Sequence, residues 1–283
     1  MKNICLFLLI PCLFFMSSCG PNVDTRTVYQ KEARYPQNFR SSVALFIRER
    51  NESVSVSASA FLIDAERGLF GSAKHFVGTE SDGDCKIFFN GKVYDGFLAQ
   101  VPAVTDIAVI KIKGRLDRTL PALPYAMAEG ASIGDKVFVR GIHPHPPVLQ
   151  GGKNIIPIFR NYYGIIGLYN EFVYDNLEAE ITDLAVGIVN KDIGGSPEAS
   201  AEIVAVYATL NTKEDHLFSF GGLSGGPVVN QSDQLVGIIA SESPRSNLKN
   251  TNFGPVIVET YNILQIVPVD ELKKLMPRLA DVE

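Results

Sequence analysis

Three residues of this chain have the types needed to share one reaction. Ser224 lies in Gly221-Gly222-Leu223-Ser224-Gly225-Gly226-Pro227, a single hydroxyl among four glycines and a proline. His75 closes the segment Ser72-Ala73-Lys74-His75, and Asp106 stands near the start of Thr105-Asp106-Ile107-Ala108-Val109-Ile110. A serine hydroxyl is a weak nucleophile at neutral pH and needs a base within hydrogen-bond reach to take its proton during attack. Imidazole suits that task because its ordinary pKa lies near neutrality. A carboxylate on the other ring nitrogen fixes the tautomer and stabilises the imidazolium as it forms. The backbone N–H groups of Gly222 and Ser224 could then receive a tetrahedral oxyanion, and glycine permits the dihedrals and close backbone approach that such a turn requires. The chemistry these residue types imply is attack on a carbonyl, through a covalent acyl intermediate.

Chain order separates the possible arrangements. Gly222-Leu223-Ser224-Gly225-Gly226 also fits the G-x-S-x-G elbow of α/β-hydrolases, whose histidine follows the serine. Here His75, His143, His145 and His216 all precede Ser224. Asp64 with His75 would give the subtilisin order, but the alternating helices of that class are missing from the pattern. The order His75, Asp106, Ser224 remains. His143 and His145 are split by Pro144, which reads as an exposed loop, so no metal and no cofactor is expected. A net charge of -5 argues against a nucleic-acid partner, since phosphate binding favours a basic face.

The elements that must position these residues read almost wholly as β. Apolar, β-branched and aromatic runs of strand length recur from about residue 41, separated by Gly, Asn, Asp and Pro. The first set is Val43–Ile47, Val54–Ile63, Lys86–Phe89, Val93–Ala99 and Ile107–Ile112, with Asn90-Gly91 as a hairpin turn. The second is Val137–Ile142, Ile155–Phe159, Tyr162–Leu168, Leu177–Val189, Ile203–Ala208, Gly226–Val229, Leu235–Ala240 and Val256–Glu259. Only Asp270–Met276 reads as a helix, with Asp270 as N-cap and Pro277 as stop. This census predicts an all-β fold of two six-stranded antiparallel barrels and a short C-terminal helix. Barrel one covers about 41–120 and carries His75 and Asp106. Barrel two covers about 130–270 and carries Ser224, and the helix covers about 270–276. The site would lie in the crevice between the barrels. No internal repeat is seen in the sequence.

The N-terminus reads as a targeting segment. Lys2 precedes the apolar stretch Ile4–Met16, which is too short for an ordinary spanning helix and ends in Met16-Ser17-Ser18-Cys19-Gly20. Small residues before a cysteine resemble the bacterial lipobox. The resemblance implies a signal peptide over 1–18, lipid on Cys19, and a flexible tether over 19–40. The other cysteines are Cys5, Cys12 and Cys85, so a mature chain would hold no disulfide, and Cys85 reads as a structural thiol.

Taken together, these motifs resemble the trypsin-like serine proteases, most closely the HtrA-type branch, over about Ser42–Met276. Ala60-Phe61-Leu62-Ile63-Asp64 and Ser72–Val77 match the strand and turn that carry the family's histidine. Asp106–Lys111 matches its aspartate strand, and Ile266-Val267-Pro268-Val269-Asp270 its closing strand. The resemblance implies a serine endopeptidase with His75, Asp106 and Ser224 as triad, acting on protein or peptide substrates. It implies that Phe218 sits near the floor of the primary pocket, favouring a small or medium apolar side chain. It also implies that Ile239-Ala240-Ser241 is the edge strand pairing with substrate backbone. Leu223 stands where digestive trypsins carry the Asp that receives a new N-terminus, so no zymogen cut is expected. No PDZ domain is expected after the terminal helix, and the long 143–216 stretch is expected to hold surface loops. The implied location is the periplasmic face of the outer membrane, since Gly20 is not the Asp associated with inner-membrane retention. A catalytically silent binding module on the same fold, or an esterase with the same triad, are the alternatives.

Overall fold

The computed structural model describes residues 42–50, 53–77, 85–90, 92–100, 102, 105–117, 122–145, 171–184, 186–192, 200–206, 208–216, 220–252 and 254–279. Strands β1 (Val43–Arg50), β2 (Ser53–Asp64), β3 (Leu69–Ser72), β4 (Cys85–Phe89), β5 (Lys92–Gln100) and β6 (Ala108–Ile112) close into a barrel in the order β1-β2-β3-β6-β5-β4. A short helix, α1 (Lys74–Val77), follows β3.

The second barrel is built from β7 (Lys136–His145), β8 (Glu171–Asp183), β11 (Ala208–His216), β12 (Pro227–Asn230), β13 (Leu235–Thr251) and β14 (Gly254–Pro268). Its order is β11-β14-β13-β12-β7-β8. Ranked within their own barrel, these six strands follow the same cyclic order as barrel one. The hairpin β9 (Val186–Asp192) and β10 (Ser200–Val206) forms its own two-stranded sheet, pairs with no other described strand, and falls between the second and third strands of the unit. The chain therefore uses one topology twice, although its sequence shows no repeat. Helix α2 (Val269–Leu275) and a 3-10 turn (Met276–Leu279) complete the described fold.

Strand alternation explains where the core sits. On β2, Ala58, Ala60 and Leu62 point into barrel one, with Phe70, Ile87, Phe89, Ala108 and Ile110. The alternate residues Phe61 and Ile63 point the other way and are also buried. With Ile107 and Val109 they meet Ile238, Ala240 and Val267 of barrel two and Leu272 and Leu275 of α2. Barrel two has its own core around Val139, Leu177, Leu210, Leu223, Val228, Ile239 and Ile266. Three apolar clusters thus form, one in each barrel and one that joins the barrels under α2. Each large side chain so buried contributes about 1.5–3 kcal/mol. This double burial is why these strands read as apolar runs rather than clean alternation.

The most deeply buried charge among the described residues is Arg140. Arg140 on β7 is 1% exposed; its guanidinium donates to Asn176 Oδ1 at 2.9 Å, Asp233 Oδ1 at 2.6 Å and Tyr125 Oη at 3.3 Å. Three buried or half-buried acceptors compensate its desolvation. Cys85 is buried in the core of barrel one, in keeping with a structural role.

The sequence reading missed β3, whose four residues Leu69–Ser72 contain Gly71 and give too short a run to register. It joined β8 and β9 into one run, because only residues 184–185 separate them. It also cut β13 short at Ala240, although the pairing of that strand continues out to Thr251 opposite Gly254 through a polar stretch with no strand signature. It took only Val256–Glu259 of β14, which runs over Gly254–Pro268. The strands expected at Ile155–Phe159 and Tyr162–Leu168 lie outside the described residues.

Candidate active site

His75 and Asp106 are brought together on one side of barrel one. His75 sits in α1, directly after β3, and Asp106 lies two residues before β6, which is paired to β3. Both oxygens of the aspartate engage the histidine. Oδ1 accepts the His75 backbone N–H at 2.8 Å, and Oδ2 lies 2.7 Å from His75 Nδ1. The Asp106 side chain is 10% exposed and that of His75 26% exposed, so the carboxylate is held inside while the ring reaches the surface. A carboxylate can only accept, so Nδ1 carries a proton, and in the neutral imidazole Nε2 is then the nitrogen with the lone pair. The neighbouring Lys74 donates its Nζ to the Pro102 carbonyl at 2.5 Å. Burial pushes its ammonium below the usual lysine range, partly offset by the Asp106 charge.

Ser224 lies on the connection β11→β12, between the third and fourth strands of its barrel. His75 lies on the same third-to-fourth connection, β3→β4, in barrel one. The serine loop is two consecutive turns. Leu223 N–H donates to Phe220 O at 2.9 Å, and Gly226 N–H to Leu223 O at 2.8 Å. The third residue of each turn has positive φ, +100° at Gly222 and +84° at Gly225. That is the type II requirement, and it accounts for glycine at both positions.

Space imposes a second requirement. A Cβ on Gly225 would lie 2.3 Å from Ser59 O and 2.4 Å from Ser72 Oγ.

The peptide geometry leaves two donors open. A trans peptide points its C=O and N–H in opposite directions. The Leu223 carbonyl turns inward to Gly226, so the Ser224 N–H turns outward. Neither it nor the Gly222 N–H donates to any described residue. Leu223 itself is fully buried in the core of barrel two.

The expected substrate strand flanks this loop. Ile239 is buried and both its backbone groups are taken: its carbonyl accepts Gly225 N–H at 2.7 Å and its N–H donates to Gly226 O at 3.0 Å. Ile239 thus fixes the loop, and Ala240 and Ser241 follow it. Beyond Ile238 no described strand pairs with β13 on the side away from β14. Ala240 is buried against the inter-barrel cluster, and Ser241 Oγ donates to Gln265 Oε1 at 2.6 Å. Phe218 and Cys19, the expected pocket floor and lipid site, lie outside the described residues.

Sequence reasoning missed two residues that hold this site. Glu242 Oε2 accepts the Phe220 N–H at 2.5 Å and so ties β13 to the start of the serine loop. Ser59 on β2 touches the same loop from barrel one. Ser59 is the last of the alternating serines of Ser53-Val54-Ser55-Val56-Ser57-Ala58-Ser59 on β2, a pattern that does not set it apart from the other three.

The sequence profile of the trypsin-like peptidase domain family matches residues 58–238, from β2 to β13, and includes all three residues. The chain belongs to that family. Among curated proteins it is similar to HhoA of Synechocystis sp., which carries a serine protease name: 23% identical over 278 residues, covering 94% of this chain and 55% of HhoA. The chain therefore spans about half the length of that relative. Among solved structures, the active form of the Rv3671c protease of M. tuberculosis aligns with a TM-score of 0.53 at 17% identity, covering 85% of this chain and 80% of that one. The HtrA-type protease AlgW with a bound decapeptide aligns with a TM-score of 0.52 at 14% identity, covering 86% of this chain and 65% of that one. These likenesses establish the fold: two six-stranded antiparallel barrels of the trypsin type, as the strand census predicts.

Proposed function

We propose that this chain is a serine endopeptidase working through His75, Asp106 and Ser224. The observation that carries the reading is the double engagement of His75 by a buried Asp106, which leaves Nε2 as the available base. In the first step Ser224 Oγ attacks the scissile carbonyl and passes its proton to His75 Nε2. The imidazolium is stabilised by Asp106. The carbonyl oxygen becomes an oxyanion received by the N–H groups of Gly222 and Ser224. Loss of one such donor costs about 3 kcal/mol in comparable sites. Collapse breaks the C–N bond; His75 returns the proton to the leaving amine, and Ser224 carries the acyl group. Water, deprotonated by His75, then cleaves the ester and restores the serine.

Membership of a peptidase family and likeness to a structure solved with a bound decapeptide support peptide substrates. Ala240 and Ser241 offer the edge for an extended chain, and Phe218 a pocket floor without charge, which favours small or medium apolar side chains. The buried Leu223 leaves no carboxylate for a new N-terminus to pair with, so the domain is active without an N-terminal cut. Cys19 carries lipid and tethers the enzyme to the periplasmic face of a bacterial outer membrane, where unfolded or damaged envelope proteins are its substrates. A quenched-fluorescence peptide library is the test. Cleavage by wild type, absent in S224A, is the expected result. Intact peptides throughout, or equal cleavage by S224A, would refute it.

A further inference from the structure

The two halves of the proposed reaction come from different barrels, and one residue bridges them at the serine loop. Ser59 lies on β2 of barrel one and is fully buried. Its backbone N–H donates to the Ser224 carbonyl at 2.9 Å. Its hydroxyl accepts the Ile142 N–H of β7 at 2.8 Å, and has the Gly222 carbonyl at 2.9 Å and the Ile142 carbonyl at 3.0 Å as acceptors for its one proton. Its own carbonyl accepts Ser72 Oγ at 2.8 Å, three residues before His75. Ser59 therefore contacts the carbonyls on both sides of Leu223, while linking the loop to the strand that leads to the base.

The direction of those carbonyls matters for the two open donors. Holding Gly222 O against Ser59 fixes the 222–223 peptide, whose N–H is already bonded to Phe220 O. Holding Ser224 O fixes the 224–225 peptide, whose N–H is bonded to Ile239 O. These two planes flank the 223–224 peptide, which carries the Ser224 N–H, on both sides and adjoin the 221–222 peptide, which carries the Gly222 N–H, so rotation of either donor is restricted by its fixed neighbour. Hydrogen-bond donors stabilise a developing oxyanion best when their orientation is set before reaction.

We propose that Ser59 is a positioning residue for hydrolysis: its hydroxyl, held between β7 and the Gly222 carbonyl, keeps the two oxyanion donors aimed before substrate arrives. This rests on the hydrolytic reading above. In S59A the Gly222 carbonyl loses the hydroxyl that faces it, and residue 59 holds the loop only through its backbone N–H to Ser224 O.

The test measures kcat and KM on a chromogenic peptide, and the inhibition constant of a peptide boronic acid, for wild type, S59A and S59T. The boronate forms a tetrahedral adduct on the serine and sets an oxygen against the two amides. Its inhibition constant reports on folded sites, so a loss of folded protein alone does not move it. S59A should lower kcat about tenfold with KM nearly unchanged and weaken the boronate by a similar factor, less than the roughly 10²–10³ of deleting a donor outright. S59T, which keeps the hydroxyl, should restore both constants to within about threefold. An S59A enzyme matching wild type in both constants overturns the proposal. Should S59A not fold, S59T decides alone: constants near wild type uphold the role, and a tenfold loss overturns it. A wild type that neither turns over nor binds the boronate overturns the hydrolytic reading itself.

Discussion

The carboxylate of Asp106 does two separable things. Oδ1 holds the backbone of α1, and Oδ2 holds the ring of His75. Asp106→Asn separates them. The amide oxygen can still accept the His75 N–H, but the NH₂ group now faces Nδ1 and favours the tautomer with the proton on Nε2. The expected outcome is a protein that melts near the wild-type temperature with kcat lowered by about 10⁴. A drop in melting temperature that accounts for the lost activity would assign Asp106 to structure instead. His75, Asp106 and Ser224 stood out as candidates in the sequence because their surroundings are distinctive: a glycine-rich turn at the serine, and apolar strands beside the other two. Ser59 and Glu242 were not legible in the same way. Their role is to bond backbone groups far away in sequence, Gly222 and Phe220, and nothing beside them in the chain records that.

Among the elements, the double turn at Phe220–Gly226 makes the strictest demand on sequence. Gly225 has φ +84° and no room for a Cβ, because the Ser59 carbonyl and Ser72 hydroxyl of barrel one press against it. Gly134 also has positive φ, +89°, yet nothing lies within 4 Å of the place a Cβ would take. The comparison of G225A with G134A therefore isolates crowding from dihedral strain. G134A should cost about 1–2 kcal/mol in denaturant unfolding, the price of a left-handed side chain. G225A adds overpacking against backbone and should cost about 3 kcal/mol or more, with loss of activity. Equal costs would mean the barrels do not interlock at Gly225. Strand content was legible wherever both faces of a strand are buried, as in β2 and β6. It was obscured at β3, which is short, and along the outer β13–β14 hairpin, where Ser243-Pro244-Arg245-Ser246-Asn247 carries no apolar pattern.

At the scale of the molecule, one six-strand topology is used twice, with His75 and Ser224 on corresponding third-to-fourth connections. The sequence hides this repeat because each barrel fills its core with a different mixture: the first sets Phe70 and Phe89 among alanine, isoleucine and leucine, and the second adds the valines Val137, Val139, Val228 and Val236. What joins them is the apolar cluster under α2 together with the polar contacts of Ser59. The lipid tether is a claim at this same scale. A cell-expressed protein should incorporate an alkyne-labelled palmitate and sediment with membranes, whereas C19A should do neither; unlabelled wild type would remove the anchor from the account. If the two barrels together activate Ser224, a fluorescent fluorophosphonate, which reacts only with an activated serine, will report it. Wild type should label, and folded S224A and H75A should not. Folded wild type that stays unlabelled, or labelling that persists in S224A, would contradict it.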